Sequence, residues 1–218
     1  MDANYLTVAA IEIDKSVLKF KELCLQGAIQ EAVNYAQTEL KSKSALEFAA
    51  EYLIKVKCDS DTVLQLLSEP AQRFKYAHKL QRYDIVVELS EQNPKLAAED
   101  AFRGGYIEEA YNIYSEQLQD YAMALLCAYI LGDVDKLTEI KNKSSQDNIK
   151  FRAAILSGDD DSAEQALSSA SQKAVFSAAR GTLSEEKIQQ WRKQLIDEKR
   201  NDVAEIVEDN VQFGDSSN

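Results

Sequence analysis

One histidine, three cysteines and a run of three aspartates are the residues here whose chemistry could support catalysis or metal binding. His78 alone cannot build a histidine-ligated metal centre or a nucleophile–base–acid triad, since each needs several partners in fixed relation. Within FKYAHKL it reads as a structural histidine, at the surface or packed near Phe74 and Tyr76. Cys24, Cys58 and Cys127 are too few and too scattered for a disulfide framework or a zinc knuckle. Cys24 and Cys127 lie in apolar helical text (KELCLQ and ALLCAY), where a buried thiol behaves as a small hydrophobe, and a reducing compartment is expected. Asp159, Asp160 and Asp161 lack the alternating acids, central glycine and closing glutamate of a calcium loop. They read instead as carboxylates favouring a helix N-terminus. The sequence contains no glycine-rich dinucleotide fingerprint, no Walker loop and no serine elbow. It therefore predicts no catalytic residue, no metal ligand and no cofactor site, and the chain is read as a non-enzyme.

The elements that would position any such residue are helical. Seven glycines and two prolines in 218 residues leave little material for sheet turns, while Ala, Leu, Lys, Glu and Gln fill the intervals. With 45% apolar residues the chain can bury a continuous core, so an all-α fold follows. The net charge of −12 argues against a phosphate-binding surface, and no basic stripe offsets it. The basic groups at 41–43 and 141–143 read as solvated turns. No basic leader precedes an apolar run at the N-terminus, and no stretch is long enough to cross a bilayer, so a cytoplasmic protein is expected.

One punctuation mark recurs. LQGAIQEAV (25–33), FRGGYIEEAY (102–111), YILGDVDKL (129–137) and LSGDDDSAEQAL (156–167) each end an apolar helix, turn on a glycine and start a new amphipathic run. VKCDSDTVLQLL (56–67) and KLQRYDIVVEL (79–89) keep the rhythm without glycine. Taking Gly27, Cys58, Arg82, Gly105, Gly132, Gly158 and Gly181 as marks, the intervals run from 23 to 31 residues, the length of two short helices and their turns. Pro70 and Pro94 fall at helix starts, where proline is tolerated. Leu118, Tyr121, Ala122, Leu125, Leu126 and Tyr129 are read as one apolar face, opposite Gln117, Gln119 and Asp120. Ala163, Ala166 and Leu167 form another, and Ala174, Val175, Ala178 and Ala179 the next. Tyr106, Tyr111, Tyr114, Tyr121 and Tyr129 crowd two hairpins, packing between helices or lining a partner surface. A helix from Ser184 carries Ile188, Trp191, Arg192, Leu195 and Ile196, with Trp191 on the apolar face, and a last run holds Val203, Ile206 and Val207. The expected architecture is an α-solenoid of stacked antiparallel helical hairpins, tetratricopeptide-like with degenerate repeats. It spans 16–209, between an extension or first helix at 1–15 and an acidic, polar tail at 210–218 expected to be disordered.

EPAQRFKYAHKLQRYDIV (69–86), LQDYAMALLCAYILGDVDKL (118–137), NIKFRAAILSGDDDSAEQAL (148–167) and AVFSAARGTLSEEKIQQWRKQL (174–195) resemble, in order, pieces of the beta-prime subunit family of coatomer. Coatomer coats COPI vesicles, and the resemblance lies in the α-solenoid that follows the family's two β-propellers. It extends from about Val17 to about Leu195. By this resemblance Gln72, Arg73 and Phe74 begin a mid-solenoid helix; Gln119, Asp120 and Tyr121 begin the long apolar helix; Trp191, Arg192 and Leu195 belong to a late Trp-Arg helix. The family implies catalysis at none of them. Residues 180–184 read RGTLS where the family has a Tyr-Leu-Pro turn, which alters the expected angle between the last hairpins. The propellers, which recognise dilysine cargo signals, have no counterpart in this sequence. The resemblance implies a scaffold that binds the α subunit of coatomer and other coat subunits, peripheral on Golgi membranes through the assembled coat. It implies neither nucleic acid nor small-molecule substrate. Three other readings stay open: a tetratricopeptide-type peptide adaptor, a solenoid of an intraflagellar-transport or other coat-like complex, and a helical enzyme of terpenoid-cyclase type, although the Asp-rich run lies at a turn.

Overall fold

In the computed structural model, residues 15–179, 185–201, 203 and 204 are described. The expectations for Gly181 and the turn at 180–184, for Ile206 and Val207, for residues 1–14 and for the tail fall outside them. The described residues form fourteen α-helices packed in neighbouring pairs, with no strand among them. The chain divides into two compact units, residues 1–92 and 93–218.

The first unit contains α1 (Lys15–Leu25), α2 (Ile29–Glu39), α3 (Lys43–Lys55), α4 (Ser60–Gln65), α5 (Pro70–Lys79) and α6 (Tyr83–Glu88). The second contains α7 (Pro94–Gly104), α8 (Ile107–Asn112), α9 (Tyr121–Leu131), α10 (Val134–Lys143), α11 (Asp147–Ser157), α12 (Asp160–Leu167), α13 (Gln172–Ala179) and α14 (Glu185–Asp197). Helices this short are marginal alone, because nucleation costs more than a few turns return. Alanine permits them to pack closely. Ala32, Ala36, Ala49 and Ala50 in the first unit, and Ala98, Ala101, Ala124, Ala128, Ala153 and Ala154 in the second, are fully buried. Larger side chains fill the gaps: Phe20 meets Tyr52 edge-on, and Phe151 meets Trp191 at 5.5 Å.

The ends of these helices show why the chain turns where it does. At Gly132 the backbone is left-handed (φ 66°); its amide donates to Tyr129, and the Asp133 amide reaches back to Ala128. That pair of bonds closes the carbonyl end of α9. The same turn occurs at Gly27, Gly105 and Gly158. In the two marks without glycine, the left-handed residues are Lys57 and Gln81, one position before Cys58 and Arg82. Lys199 makes a further such turn after α14, unmarked in sequence.

Starts are capped as clearly. The side chains of Ser42, Asp59, Asn93, Asp120, Asp133 and Asp159 each accept an amide of the first turn of α3, α4, α7, α9, α10 and α12. Pro70 and Pro94 sit in the first turns of α5 and α7. Lys43 opens α3 and Lys141 and Lys143 lie in the last turn of α10, which corrects the reading of these bases as loop residues. All three are ion-paired, to Glu69, Asp159 and Glu139.

Within each unit, polar bonds join a helix to the next but one. In the first, Lys75 pairs with Glu47 and Lys79 with Glu51, tying α5 to α3, while the Gln37 amide donates to the Gln65 carbonyl from α2 to α4. In the second, Lys136 pairs with Glu108 and the Tyr111 hydroxyl donates to Glu139, tying α8 to α10. Each of these five partnerships spans 28 residues of sequence. Lys187 pairs with Asp160, and Gln194 donates to the Glu164 carbonyl, so α14 is bound to α12.

Two predictions follow from the helix ends. An added Cβ at Gly132 meets no atom within 4 Å, so Gly132→Ala carries the backbone penalty alone. It lowers stability by about 1 kcal/mol in urea denaturation, whereas Lys57→Gly, which relieves a left-handed side-chain residue, is neutral or stabilising.

The second concerns acid. Lys141, then the amide and hydroxyl of Ser162, hold the Asp159 carboxyl well below the usual range. Thr62 lowers Asp59 and Lys136 lowers Asp133 in the same way. A carboxyl depressed in the folded state contributes stability that is complete above its unfolded value, about 4, and is lost as pH falls through the folded one. The urea midpoint is therefore expected to be flat between about pH 7 and 5 and to decline below about 4. Asp159→Asn keeps a capping acceptor but not the titration, and makes that decline shallower.

Candidate interaction surface

The landmark residues of the sequence do not converge on a site. In α5, Gln72 is buried and its amide lies 3.3 Å from both the Lys43 carbonyl and the Glu47 carboxylate. Phe74 is buried beside it, and Arg73 is half-buried with its Nε enclosed and without a hydrogen-bond partner. Asp120 is the N-cap of α9, accepting the Met123 amide at 3.2 Å, and Tyr121 is half-buried. In α14, Trp191 and Leu195 are fully buried among Phe151, Ala163, Leu167 and Val175, and Arg192 is half-buried. The Trp191 indole N–H has no acceptor. Ile196 of the same helix is exposed: it lies one residue beyond Leu195 and points off the buried stripe. These residues pack helices together; Gly27, Gly105, Gly132 and Gly158 turn them.

The titratable groups follow that structural pattern. Burial, then the charge of Glu51, pushes the Tyr76 phenol up, while its hydroxyl donates to Glu51 at 3.1 Å. Burial raises Tyr111 similarly, followed by its bond to Glu139. Cys127 is fully buried, and burial pushes its thiol to about 11, leaving it little thiolate at neutral pH. Cys24 is only half-buried, so its helical text overstated its burial. Among the described residues no group of three or more His, Cys, Asp or Glu side chains is placed to hold a metal ion. Nor is any described helix long and apolar enough to cross a membrane.

What stands out is apolar surface. In the first unit, Val17, Leu18, Ala45 and Phe48 border an open groove between α1 and α3, with the Lys21 ammonium 4.7 Å from the Phe48 ring centre. In the second unit the feature is α9, YAMALLCAYIL, which contains no charged side chain. The six-residue apolar face read from the sequence is not the buried one. The structure buries Ala124, Leu125, Cys127 and Ala128, and leaves Ala122, Leu126, Tyr129 and Ile130 open. Leu126 is 41%, Tyr129 60% and Ile130 50% exposed, which is unusual for adjoining large apolar side chains. Their i, i+4, i+7, i+8 spacing makes one face about 12 Å long. Leu131, the last residue of α9, and Val134, in the first turn of α10, are exposed as well.

The start of α9 is set by a feature invisible in composition. Residues Ile113–Gln117 form a π-helical turn in which the Leu118 amide donates to Ile113. Gln119 then turns left-handed (φ 52°), and Asp120 caps α9. The widened turn buries Ile113, Tyr114 and Ser115 together. Thus Tyr111 and Tyr114 pack in the core, whereas Tyr106 and Tyr129 face solvent.

Because Leu126 and Ile130 are about half exposed, Leu126→Gln and Ile130→Ser are each expected to cost about 1 kcal/mol or less. Leu125→Ala, on the opposite face, costs about 2 kcal/mol or more in the same denaturation measurement.

No protein-family model matches the chain, and no curated protein matches it.

Proposed function

We propose that the chain is a structural scaffold: an α-solenoid of the coatomer beta-prime kind that helps to assemble the COPI coat by docking other coat subunits, first the α subunit. In this reading it is cytoplasmic, peripheral on Golgi membranes and COPI vesicles, and serves transport from the Golgi to the ER and within the Golgi. It catalyses no reaction.

The observation that carries the reading is the helix-to-next-but-one register. Bonds spanning 28 residues recur within both units, at Glu47 to Lys75, Glu51 to Lys79, Glu108 to Lys136 and Tyr111 to Glu139. Such a register is what stacked hairpins produce, each covering the apolar face that its neighbour cannot bury alone. The large open apolar face on α9 supports the same reading, since surfaces of this kind mark docking sites. The resemblance to the beta-prime solenoid, in order from about Val17 to about Leu195, is the reason for naming this assembly.

The test is co-purification of the tagged chain with an α-coatomer solenoid. A stoichiometric complex on size exclusion at micromolar concentration is the expected result. A monomer indifferent to that partner overturns the assignment to the coat.

A further inference from the structure

We propose that the open face of α9 receives an amphipathic helix of a partner protein whose apolar stripe is flanked by basic residues. The inference rests on the scaffold reading and supplies the chemistry of one of its docking partners.

The apolar half of the recognition is on α9 itself. Ala122, Leu126, Tyr129 and Ile130 present a two-turn stripe. A partner helix bearing apolar residues at i, i+3 or i+4 and i+7 matches a stripe of this length. Tyr129, the most exposed of the set, is the kind of side chain on which interface energy concentrates.

The charge half comes from the sequence on either side. From residue 104 to residue 135 the chain holds six carboxylates and no Lys, Arg or His. Glu116 and Asp120 precede α9; Asp133 and Asp135 follow it. Their positions are consequences of folding: Asp120 and Asp133 are the N-caps of α9 and α10. The first base beyond α9, Lys136, is engaged by Asp133 at 2.8 Å and Glu108 at 3.0 Å. Arg103, the last base before it, lies within 4 Å of both Glu99 and Asp100. α10 and α11, which pack against α9, carry Lys141 and Lys143, each already ion-paired, and Lys150 and Arg152. The exposed C-terminal half of the stripe instead runs into Asp133, Val134 and Asp135.

An apolar stripe with acidic ends selects among occupants. A second copy of this chain would bring the same carboxylates, on a net charge of −12, against their own kind. An anionic membrane would be repelled for the same reason. A basic-ended helix satisfies both halves, with the charges setting encounter and register and the stripe setting residence.

The experiment uses the full chain and two fluorescein-labelled synthetic helices of about five turns. Both carry the same Leu/Ala stripe; one has paired lysines at each end, the other glutamates. Fluorescence anisotropy should show micromolar binding of the lysine peptide and at least about tenfold weaker binding of the glutamate peptide. Raising the salt should weaken the former several-fold. Tyr129→Ser combined with Ile130→Ser should remove about tenfold or more of the affinity, with the helical circular dichroism unchanged.

Equal binding of the two peptides, no binding of either, or an undiminished affinity in the double variant overturns the proposal. So does a dimer in sedimentation that the same variant disperses, since the face then belongs to a second copy. The two readings fail separately. Retention of the α-coatomer complex by the variant, with no peptide binding by the native chain, removes this inference and leaves the scaffold. Peptide binding without that complex does the reverse.

Discussion

Every helix among the described residues is too short to be stable by itself, so their order depends on close packing between neighbours. Six to thirteen residues supply one to three internal turns, too few to offset nucleation in water. Burial against adjacent helices makes up the difference, and alanine permits it by letting backbones approach. Ala49 and Ala50 in α3, and Ala153 and Ala154 in α11, are adjacent pairs with no exposed surface. A helix buried at two neighbouring positions is gripped from more than one side, so within each unit the described helices are not independent of their neighbours.

That dependence separates the work of apolar and polar groups. The apolar contacts are non-directional and would tolerate sliding. The bonds between a helix and the next but one are directional and fix the register: Glu51 accepts from both Lys79 and Tyr76, and Lys136 bridges Asp133 and Glu108. As exposed ion pairs they add little to stability. Their contribution is to choose one alignment among several that the core would accept. Arg200 has a comparable role at the end of α12, where it donates to the carbonyls of Ser168 and Ala170.

Local structure was legible wherever a single residue type carries a steep backbone preference. Four glycine turns could be read because a left-handed residue with a side chain is costly. Lys57, Gln81, Gln119 and Lys199 adopt the same conformation without that signature, because the surrounding packing offsets the strain. The capping aspartates could be read for the same local reason, whereas the π turn at Ile113–Gln117 could not. A π turn follows from how Tyr114 and Ser115 must be placed, which no neighbouring residue announces. Trp191 could be placed on the buried side of its helix because Ile188 and Leu195 flank it at helical spacing and, Ile196 apart, polar residues occupy the rest.

The sequence by itself determined the helix starts capped by Asp and the helix ends that turn on glycine, that nearly all order is helical, and that the flanks of α9 are acidic. Those properties are set within a few residues of where they are written. Only the tertiary structure decided which face of α9 is buried. YAMALLCAYIL is apolar around its whole circumference, so hydropathy supplies no preferred direction. Size weighs in the choice, Leu125 apart: Ala124, Cys127 and Ala128 let neighbouring helices come close. Leu126, Tyr129 and Ile130, which would hold them apart, were left facing outward.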